Sequence, residues 1–456
     1  MEPRYIVAIE IGSSKIKGAV GTVESDGTLS VIAVEEEKRV NCVRYGCIQN
    51  VDEVSFCVSK IIRCLQNRIY PRQIRGVYAG IGGRSLLSAV REAERQLADE
   101  MEITERIIEQ IKSEANTTLT DRNVVSVEPM EFIVDNQTII NPVGTFGQNI
   151  RATLNVITCK PQIIKNINRV LVEKLQLHVC GYIVRQLAEA DLVLTEDEKR
   201  LGCMFVDMGA ETTTVSIYKN GSLQYLSTLP LGSRNITRDI TALNYIEERA
   251  EEIKKAVGNA NPSETSASSI AAEGIDTTEI NNYVQARAGE IMANITEQLN
   301  YAGLKASEIP GGIVMIGGGS KLRGFSTLLA NQTKLKVRQG LAPSGVRISD
   351  SGIKADEAVD VIAILAAAAR MAPAECVFTP ERHEDENDEP EEDIHNRNTA
   401  GDNKSKKRRH DDDDDDDEYE DERPRRGGSF WGNLRTRVEN LINGNEDDDF
   451  FDDDEK

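Results

Sequence analysis

The sequence predicts an α/β protein built from two related lobes. Residues 5–34 and 203–229 are both β-rich and are both interrupted by a short glycine-containing turn, so one structural plan occurs twice. Long helical patterns at 54–68, 237–257 and 278–301 accompany these two units. A hydrophobic content of 39% over 456 residues suits two or three packed domains. We therefore expect two duplicated α/β lobes.

The first unit is expected to form a three-stranded meander. Tyr5–Val23 divides into two strands at residues 11–14, and Asp26-Gly27 turns the chain into a third strand that ends near Val34. The segment between the two units should then hold a β/α insert, at about residues 84–161, followed by a helix whose apolar positions run from Ile163 to Leu175.

The second unit repeats the plan. A strand at Cys203–Val206 leads through a turn into Thr213–Tyr218, and the Asn220-Gly221 pair predicts a hairpin into Leu223–Leu229. Beyond it we expect single helices at 237–257 and 278–301, and a short buried strand at 313–316. An alanine-rich helix at 356–372 closes the folded part.

The net charge of −22 belongs mostly to the end of the chain. Residues 379–456 hold 30 Asp and Glu against 13 Lys and Arg, a balance of −17, whereas residues 1–378 hold 46 against 41, a balance of −5. A run such as Asp411–Asp417 repels itself and buries no apolar area, which predicts a disordered linker over 379–428. With no secretory pattern, no long apolar run and no metal-type cysteine spacing, we expect a cytoplasmic protein.

Two turns carry the residue types that a phosphate-binding loop needs. Backbone N–H groups approach a phosphate chain closely only where a turn holds glycine or small hydroxyl residues. Such turns follow strands at 11–15 and 207–213, and a carboxylate, Glu10 or Asp207, leads each one. A carboxylate beside phosphate suits a Mg²⁺ ion held between them through its water shell. For either turn alone, an ordinary hairpin is the alternative.

Two further segments are candidates for contacting a nucleotide. Gly317–Ser320 follows a buried strand, where backbone can lie close to an adenine or ribose, although its spacing fits neither a P-loop nor GxGxxG. Glu251 and Lys254 lie three residues apart on one helix face and could hold the nucleoside. A solvent-exposed ion pair is the alternative for them.

The ordered motifs EIGSSKI, LTEDEKRLG, VDMGAETT, AEEIK and VMIGGGSKLRGF, with the closing alanine-rich helix, resemble the superfamily of actin, heat-shock-chaperone and hexokinase ATPases. Within it they resemble the bacterial cell-division family FtsA, over about the first 375 residues. The resemblance implies two actin-like lobes, at 1–197 and 198–355, with the final helix (356–376) returning to the first lobe. It also implies that the insert is the extra subdomain called 1C, which contacts neighbouring subunits in filaments.

The resemblance further implies ATP and Mg²⁺ as cofactors. Glu10 and Asp207 would then lie near the metal. The candidate ATP-binding residues are Gly12, Ser13, Ser14, Lys15, Asp207, Gly209, Thr212, Thr213, Glu251, Lys254, Gly317, Gly318, Gly319 and Ser320.

Two departures from the family pattern predict weak ATP hydrolysis. The second phosphate motif usually reads DIGGGT, whereas here Ala210 and Glu211 replace glycines, which restricts the backbone and adds a negative side chain near phosphate. The segment Arg185–Ala188 also lacks the glutamate that active relatives use to orient the attacking water. Because hydrolysis depends on positioning that water, we expect slow or negligible turnover.

Residues 429–443 are predicted to form an amphipathic helix. Its apolar residues share one face, arginines flank that face, and the helix follows a long charged linker, which favours a position in a bilayer interface. The resemblance likewise implies a membrane-targeting sequence, although the acidic end at 444–456 should be repelled by anionic lipid. Packing on the body or in a partner groove is the alternative. The predicted membrane contacts are Phe430, Trp431, Leu434, Arg435, Arg437, Val438, Leu441 and Ile442.

These features predict an ATP-binding division protein that forms filaments at the cytoplasmic face of the inner membrane, at the division site. Its expected partners are the C-terminal peptide of the tubulin-like protein FtsZ, its own copies, membrane lipid and other division proteins, with no nucleic acid. Arg287 and Glu290 are the candidate FtsZ contacts, with a local ion pair as the alternative. A pilus or secretion scaffold and a sugar-kinase-type phosphotransferase are the rival functions. The latter would need an acidic general base facing a second substrate.

Overall fold

The computed structural model describes residues 3–38, 41–115, 121–261, 276–341, 346–349 and 352–380. The predicted linker beyond residue 380, the amphipathic helix with all its membrane-contact residues, and the acidic end lie outside the described residues. Within the described ranges, no helix is long and apolar enough to cross a membrane.

The elements are numbered in chain order. The strands are β1 Arg4–Ile11, β2 Lys15–Val23, β3 Leu29–Lys38, β4 Val43–Arg44, β5 Cys47–Ile48, β6 Gln73–Ile74, β7 Gly76–Ile81, β8 Leu87–Glu102, β9 Asn123–Val134, β10 Gln137–Ile139, β11 Phe146–Cys159, β12 His178–Val184, β13 Cys203–Met208, β14 Thr213–Lys219, β15 Ser222–Leu229, β16 Ile313–Ile316, β17 Val337–Gln339, β18 Val346–Ile348 and β19 Val377–Phe378. The α-helices are α1 Val51–Arg68, α2 Glu105–Ala115, α3 Pro161–Asn168, α4 Arg185–Val193, α5 Glu196–Leu201, α6 Ser233–Thr241, α7 Glu247–Val257, α8 Thr277–Tyr301, α9 Phe325–Thr333 and α10 Val359–Arg370.

The first meander forms as predicted and lies inside a six-stranded sheet of order β12-β7-β1-β2-β3-β18. Two helices cover its opposite faces. Lys17 of β2 contacts Asp360 of α10, whereas a Cβ at the next residue, Gly18, would lie 2.5 Å from Ile61 of α1. Because neighbouring strand residues point to opposite faces, α10 and α1 pack on different sides. This explains why β1 and β2 are buried along almost their whole length.

The second meander, β13-β14-β15, also forms as predicted. At its hairpin, Asn220 and Gly221 have φ of 55° and 82°, the conformation that a two-residue type I′ turn requires. β16 lies parallel to β13, with Ile316 opposite Asp207. The carboxyl ends of these two strands therefore meet at one edge of the sheet.

The predicted insert contains β8, α2, β9, β10 and β11. Its strands extend the second sheet to nine strands, in the order β10-β9-β11-β8-β15-β14-β13-β16-β17. A single residue pair, Leu87 opposite Ser227, joins β8 to β15. The insert has an apolar core of its own, which includes Ile103, Ile111, Phe132, Ile150 and Leu154.

The helical pattern at 237–257 forms two helices, so the prediction of one continuous helix is wrong. Between α6 and α7, Asn244 has a φ of 65°, a left-handed conformation that asparagine adopts more easily than most residues and that ends a helix. The chain then reverses, and Thr237 of α6 donates a hydrogen bond to Glu251 of α7.

The final helix, α10, packs against the first sheet, where Ile364 and Leu365 share a buried apolar cluster with Ile6 and Ile9 of β1. The predicted α/β class with two related lobes and an inserted subdomain is confirmed. The lobe boundaries named above stay predictions.

Candidate functional site

The two predicted phosphate turns have the same backbone geometry. Gly12 N donates to Lys15 O at 3.0 Å, and Gly209 N donates to Thr212 O at 2.8 Å. A Cβ at Gly12 would lie 2.8 Å from Lys15 O, and one at Gly209 would lie 3.1 Å from Thr212 O. Glycine therefore allows both turns to close tightly after their strands.

Both turns line one cleft of about 840 Å³, a volume in the range of small-molecule sites. A third wall is the glycine segment that follows β16. At Gly317, φ is 86° and a Cβ would lie 2.6 Å from Asp207 Oδ1, so glycine lets this segment lie against the end of β13. The predicted residues that line the cleft are Glu10, Gly12, Ser13, Ser14, Lys15, Asp207, Gly209, Thr212, Glu251, Lys254, Gly317, Gly318 and Gly319.

Two predicted residues do not line this cleft. Thr213 is fully buried and donates to Leu231 O at 2.8 Å. Ser320 lines a neighbouring cavity of about 360 Å³, and its Oγ lies 2.8 Å from Gly317 O and 3.0 Å from Gln339 Oε1. Both hydroxyl groups therefore bond to neighbouring residues of the fold.

Glu211, the added negative side chain of the second turn, lines the cleft and is matched by positive charge. Its Oε1 lies 3.0 Å from Arg234 Nη1 and 3.0 Å from Arg238 Nη2. Its Oε2 accepts a hydrogen bond from Tyr45 N at 2.7 Å. Arg234 also donates to Ser13 O at 3.2 Å. Glu211 and Arg234 therefore connect the second turn to the first turn and its neighbourhood.

Glu251 and Lys254 form an ion pair, with Lys254 Nζ 2.6 Å from Glu251 Oε2. The alternative prediction was a solvent-exposed pair, whereas Lys254 is buried at the cleft. Lys254 Nζ also donates to Ser233 O at 3.0 Å. Burial raises the pKa of Glu251, but attraction by Lys254 and hydrogen bonds from Lys254, Thr237 and Lys255 outweigh it and lower that pKa to about 2. Burial lowers the pKa of Lys254, and Glu251 opposes this shift.

Arg185, the first residue of α4, lies at the cleft among three carboxylates. Its Nη2 is 2.8 Å from Asp207 Oδ2, its Nη1 is 3.4 Å from Glu189 Oε1, and its Nε is 3.9 Å from Glu10 Oε1. Glu10, Glu189 and Asp207 are 6%, 0% and 3% exposed. Each of the three guanidinium nitrogens therefore faces a different buried carboxylate.

This arrangement does not fit a Mg²⁺ ion held through Glu10 and Asp207. The guanidinium of Arg185 already matches both carboxylates, and a divalent cation beside it would meet like charge. Across the described part of the chain, no group of three or more His, Cys, Asp or Glu side chains has the arrangement of a metal site.

The two glutamates beside Arg185 are easier to protonate than ordinary ones. Burial raises the pKa of Glu10 to about 7 and that of Glu189 well above its usual value, although attraction by Arg185 opposes both shifts. Neither carboxylate oxygen of Glu189 has a hydrogen-bond partner among the described residues. Burial therefore shifts Glu189 towards its neutral form relative to an exposed glutamate.

Sequence reasoning does not identify Arg185, Glu189 or Arg234 as site residues. The i,i+4 spacing of Arg185 and Glu189 places them on one face of α4 and is the one local signal of their pairing. The adjacent Gln186 points away from the cleft, and its Nε2 lies 3.1 Å from Ser216 Oγ in the second sheet. The cationic side chain of this segment, rather than the neutral one, thus reaches the cleft.

The predicted partner residues, Arg287 and Glu290, lie on α8. They form the local pair that was the alternative prediction. Arg287 also makes a two-point contact with Asp239 of α6, with distances of 2.6 Å from Nε to Oδ2 and 3.0 Å from Nη2 to Oδ1. Arg287 therefore ties two helices together in addition to any contact with a partner.

Two family models match the chain. A model described as cell division protein FtsA matches residues 204–358, and one described as an SHS2 domain inserted in FtsA matches residues 83–158. The second match covers the strands and helix of the insert.

The chain is also similar in sequence to known FtsA proteins. The cell division protein FtsA of Porphyromonas gingivalis (strain W83) is 33% identical over 345 residues, which is 72% of this chain and 72% of that protein. FtsA of Pseudomonas aeruginosa is 29% identical over 375 residues, covering 76% and 85% of the two chains. Among solved structures, a PilM-PilN type IV pilus biogenesis complex matches with a TM-score of 0.58 and 15% identity, covering 80% of this chain and 99% of that chain. At this identity the likeness concerns the fold alone.

Proposed function

This chain belongs to the FtsA family of cell-division proteins, and from that premise we propose that it binds ATP in the cleft between the two turns. We further propose that it assembles as an actin-like filament at the cytoplasmic face of the inner membrane, at the division site. There it tethers FtsZ through the C-terminal peptide of that protein and recruits later division proteins.

The paired turns carry the nucleotide proposal. Gly12 and Gly209 close two turns of matching geometry, and both turns line the same cleft. Duplicated hairpins that present backbone N–H groups to one space suit a chain of phosphates. The glycine segment at 317–319 adds a wall without side chains, which suits the base and ribose, and the buried Lys254 adds a positive charge.

We also propose slow or negligible ATP hydrolysis, and the residues of this cleft support that proposal. At the segment where the family's active members place a glutamate, Arg185 faces the cleft, and a guanidinium does not accept a proton from water. Glu189 is fully buried, and its Oε1 lies 3.4 Å from Arg185 Nη1. This segment therefore offers no exposed carboxylate to orient the attacking water. ATP then acts as a structural ligand that favours a polymer-competent arrangement.

The membrane and partner parts of the proposal rest on the sequence and the family. Residues 429–443 carry the amphipathic pattern, and several copies in a filament would make a marginal membrane contact firm. For FtsZ, α8 with Arg287 and Glu290 is the proposed surface. An acidic peptide there would compete with Asp239 for the Arg287 guanidinium.

A bulky side chain at Gly318 tests the ATP site. Gly318 lines the cleft, and a Cβ there meets no atom within 4 Å, so Gly318→Leu fills the cleft without a clash in the fold. We expect ATP affinity, measured by calorimetry, to fall by about a hundredfold, or roughly 2.7 kcal/mol. Gly289→Leu is the matched control, because a Cβ at Gly289 also meets no atom within 4 Å and the residue lies on α8, outside the cleft.

Equal ATP affinity for Gly318→Leu and Gly289→Leu would show that the nucleotide binds elsewhere. Absence of ATP binding by the unaltered full chain would refute the proposed function itself. Unchanged circular dichroism spectra of both variants would establish that the fold is intact.

A further inference from the structure

The carboxylates at the ends of β1 and β13 pose an electrostatic problem for a phosphate ligand. Glu10 and Asp207 line the cleft beside the two phosphate turns, and both are more than nine-tenths buried. A negative charge at that depth repels a triphosphate strongly, since the low dielectric of the interior weakens screening. Sites of this kind need a cation next to the carboxylates.

Arg185 is positioned to be that cation. Its guanidinium lies 2.8 Å from Asp207 and 3.9 Å from Glu10, and its side chain is 17% exposed, so part of it remains open to the cleft. Two other buried basic groups that line the cleft lie beside single acids away from this pair: Lys17 beside Asp360, and Lys254 beside Glu251. Arg185 alone bridges the two strand-end carboxylates among the residues that the structure describes.

The backbone around Arg185 fixes its place. Arg185 begins α4 directly after β12, whose residues Ile183 and Val184 pair with Gly80 and Ile81 of β7. A Cβ at Gly82, which follows β7, would lie 3.6 Å from Arg185 Nε and Nη2, an ordinary contact distance, so the guanidinium lies directly beside the end of β7. The arginine is therefore held against the sheet edge instead of extending into solvent.

We infer that Arg185 is the built-in cation of this cleft and that the chain binds nucleoside triphosphate without a divalent metal ion. This inference rests on the proposed function, since it concerns the same cleft. A guanidinium is always charged and presents several N–H donors that suit phosphate oxygens. It supplies a fixed positive charge where a bound Mg²⁺ would otherwise be required.

The metal dependence of ATP binding by the full-length chain tests the inference without any variant. Affinity for ATP would be measured by calorimetry in excess magnesium chloride and in excess EDTA. We expect the two dissociation constants to agree within about threefold, a difference below roughly 0.7 kcal/mol. A loss of about tenfold or more in EDTA overturns the inference and leaves the proposed ATP binding standing. Binding in neither buffer overturns both.

Arg185→Gln tests the residue itself, because it keeps a polar side chain and removes the charge. We expect this variant to bind ATP at least about tenfold more weakly in EDTA than in magnesium, since the metal then has to supply the missing positive charge. Arg200→Gln, at an exposed position on α5, is the matched control and should behave like the unaltered chain in both buffers. Equal affinities of Arg185→Gln in the two buffers would overturn the role given to Arg185. If this variant does not fold, the comparison on the unaltered chain decides.

Discussion

The two phosphate turns have the same backbone and different side chains at one equivalent position. Ser14 in the first turn and Glu211 in the second both lie between the glycine and the residue that accepts its N–H. Ser14 is exposed, whereas Glu211 is 1% exposed and bound by Arg234, Arg238 and Tyr45 N.

This difference separates two tasks that the turns perform. The shared hairpin closes each strand end tightly at the cleft, and this task needs only the glycines. The second turn also joins the two halves of the cleft, because Glu211 contacts Tyr45 and Arg234 contacts Ser13. An acidic residue in a phosphate turn is therefore a connector here, and its charge does not act on a ligand unopposed.

The largest expected effect comes from breaking the connector. Glu211→Ala removes the buried carboxylate partner of Arg234, which keeps only the more exposed Glu247, and leaves Tyr45 N without its acceptor. The change should lower the free energy of unfolding by about 3 kcal/mol. Urea unfolding followed by circular dichroism measures the change. Ser14→Ala is the matched control at the equivalent exposed position and should change it by less than about 0.5 kcal/mol. Similar values for the two variants would mean that the turns do not differ in this way.

A smaller effect is expected when the first turn receives an acid without matching arginines. Ser14→Glu places a carboxylate at the cleft with no equivalent of Arg234 or Arg238, and should weaken ATP binding by about tenfold, or roughly 1.4 kcal/mol. Calorimetry measures the affinity, and Ser14→Gln controls for the size of the side chain. If the glutamate and glutamine variants bind ATP equally well, a phosphate does not lie near Ser14.

The smallest expected effect is the loss of the stability contribution of Glu251 at acidic pH. The folded-state pKa of Glu251 is lowered from 4.5 to about 2, so its contribution to stability is fully present above pH 4.5 and is lost as the pH falls towards 2. Glu251→Gln should therefore be less stable than the unaltered chain near neutral pH, by about 1 kcal/mol or less because water screens the partly exposed pair. The gap should shrink below pH 4.5.

Urea unfolding at several pH values measures that gap. Glu252→Gln is the matched control on the same helix, because Glu252 is 67% exposed. A gap for Glu251→Gln that stays constant from neutral pH to acid would contradict the lowered pKa.

Features with a local signature could be predicted from the sequence. The predicted and observed bounds of β16 agree at both ends, Ile313 and Ile316. A short apolar run enters a glycine-rich turn there, which marks the end of the strand. Asn220-Gly221 forms its hairpin because both residues tolerate positive φ. Asn244 carries a signal of the same kind for the break between α6 and α7.

Features that depend on distant residues could not be predicted. The carboxylate of Glu211 meets Arg234, 23 residues later, and Tyr45, 166 residues earlier, so nothing near Glu211 indicates that its charge is matched. The orientation of Arg185 likewise depends on Asp207 and Glu10, which belong to different sheets. Side-chain pairing across the cleft is a property of the folded chain and leaves no periodic pattern in the sequence.

The packing of α10 on β1 has a consequence for synthesis of the protein. Ile6 and Ile9 lie at the start of the chain, and part of their apolar surroundings comes from residues 359–370. The insert, by contrast, builds its core from residues 103–156. On the ribosome, the insert can complete its core early, whereas the sheet made first keeps an uncovered apolar face until α10 emerges. The lobe that is translated first is therefore the last to close.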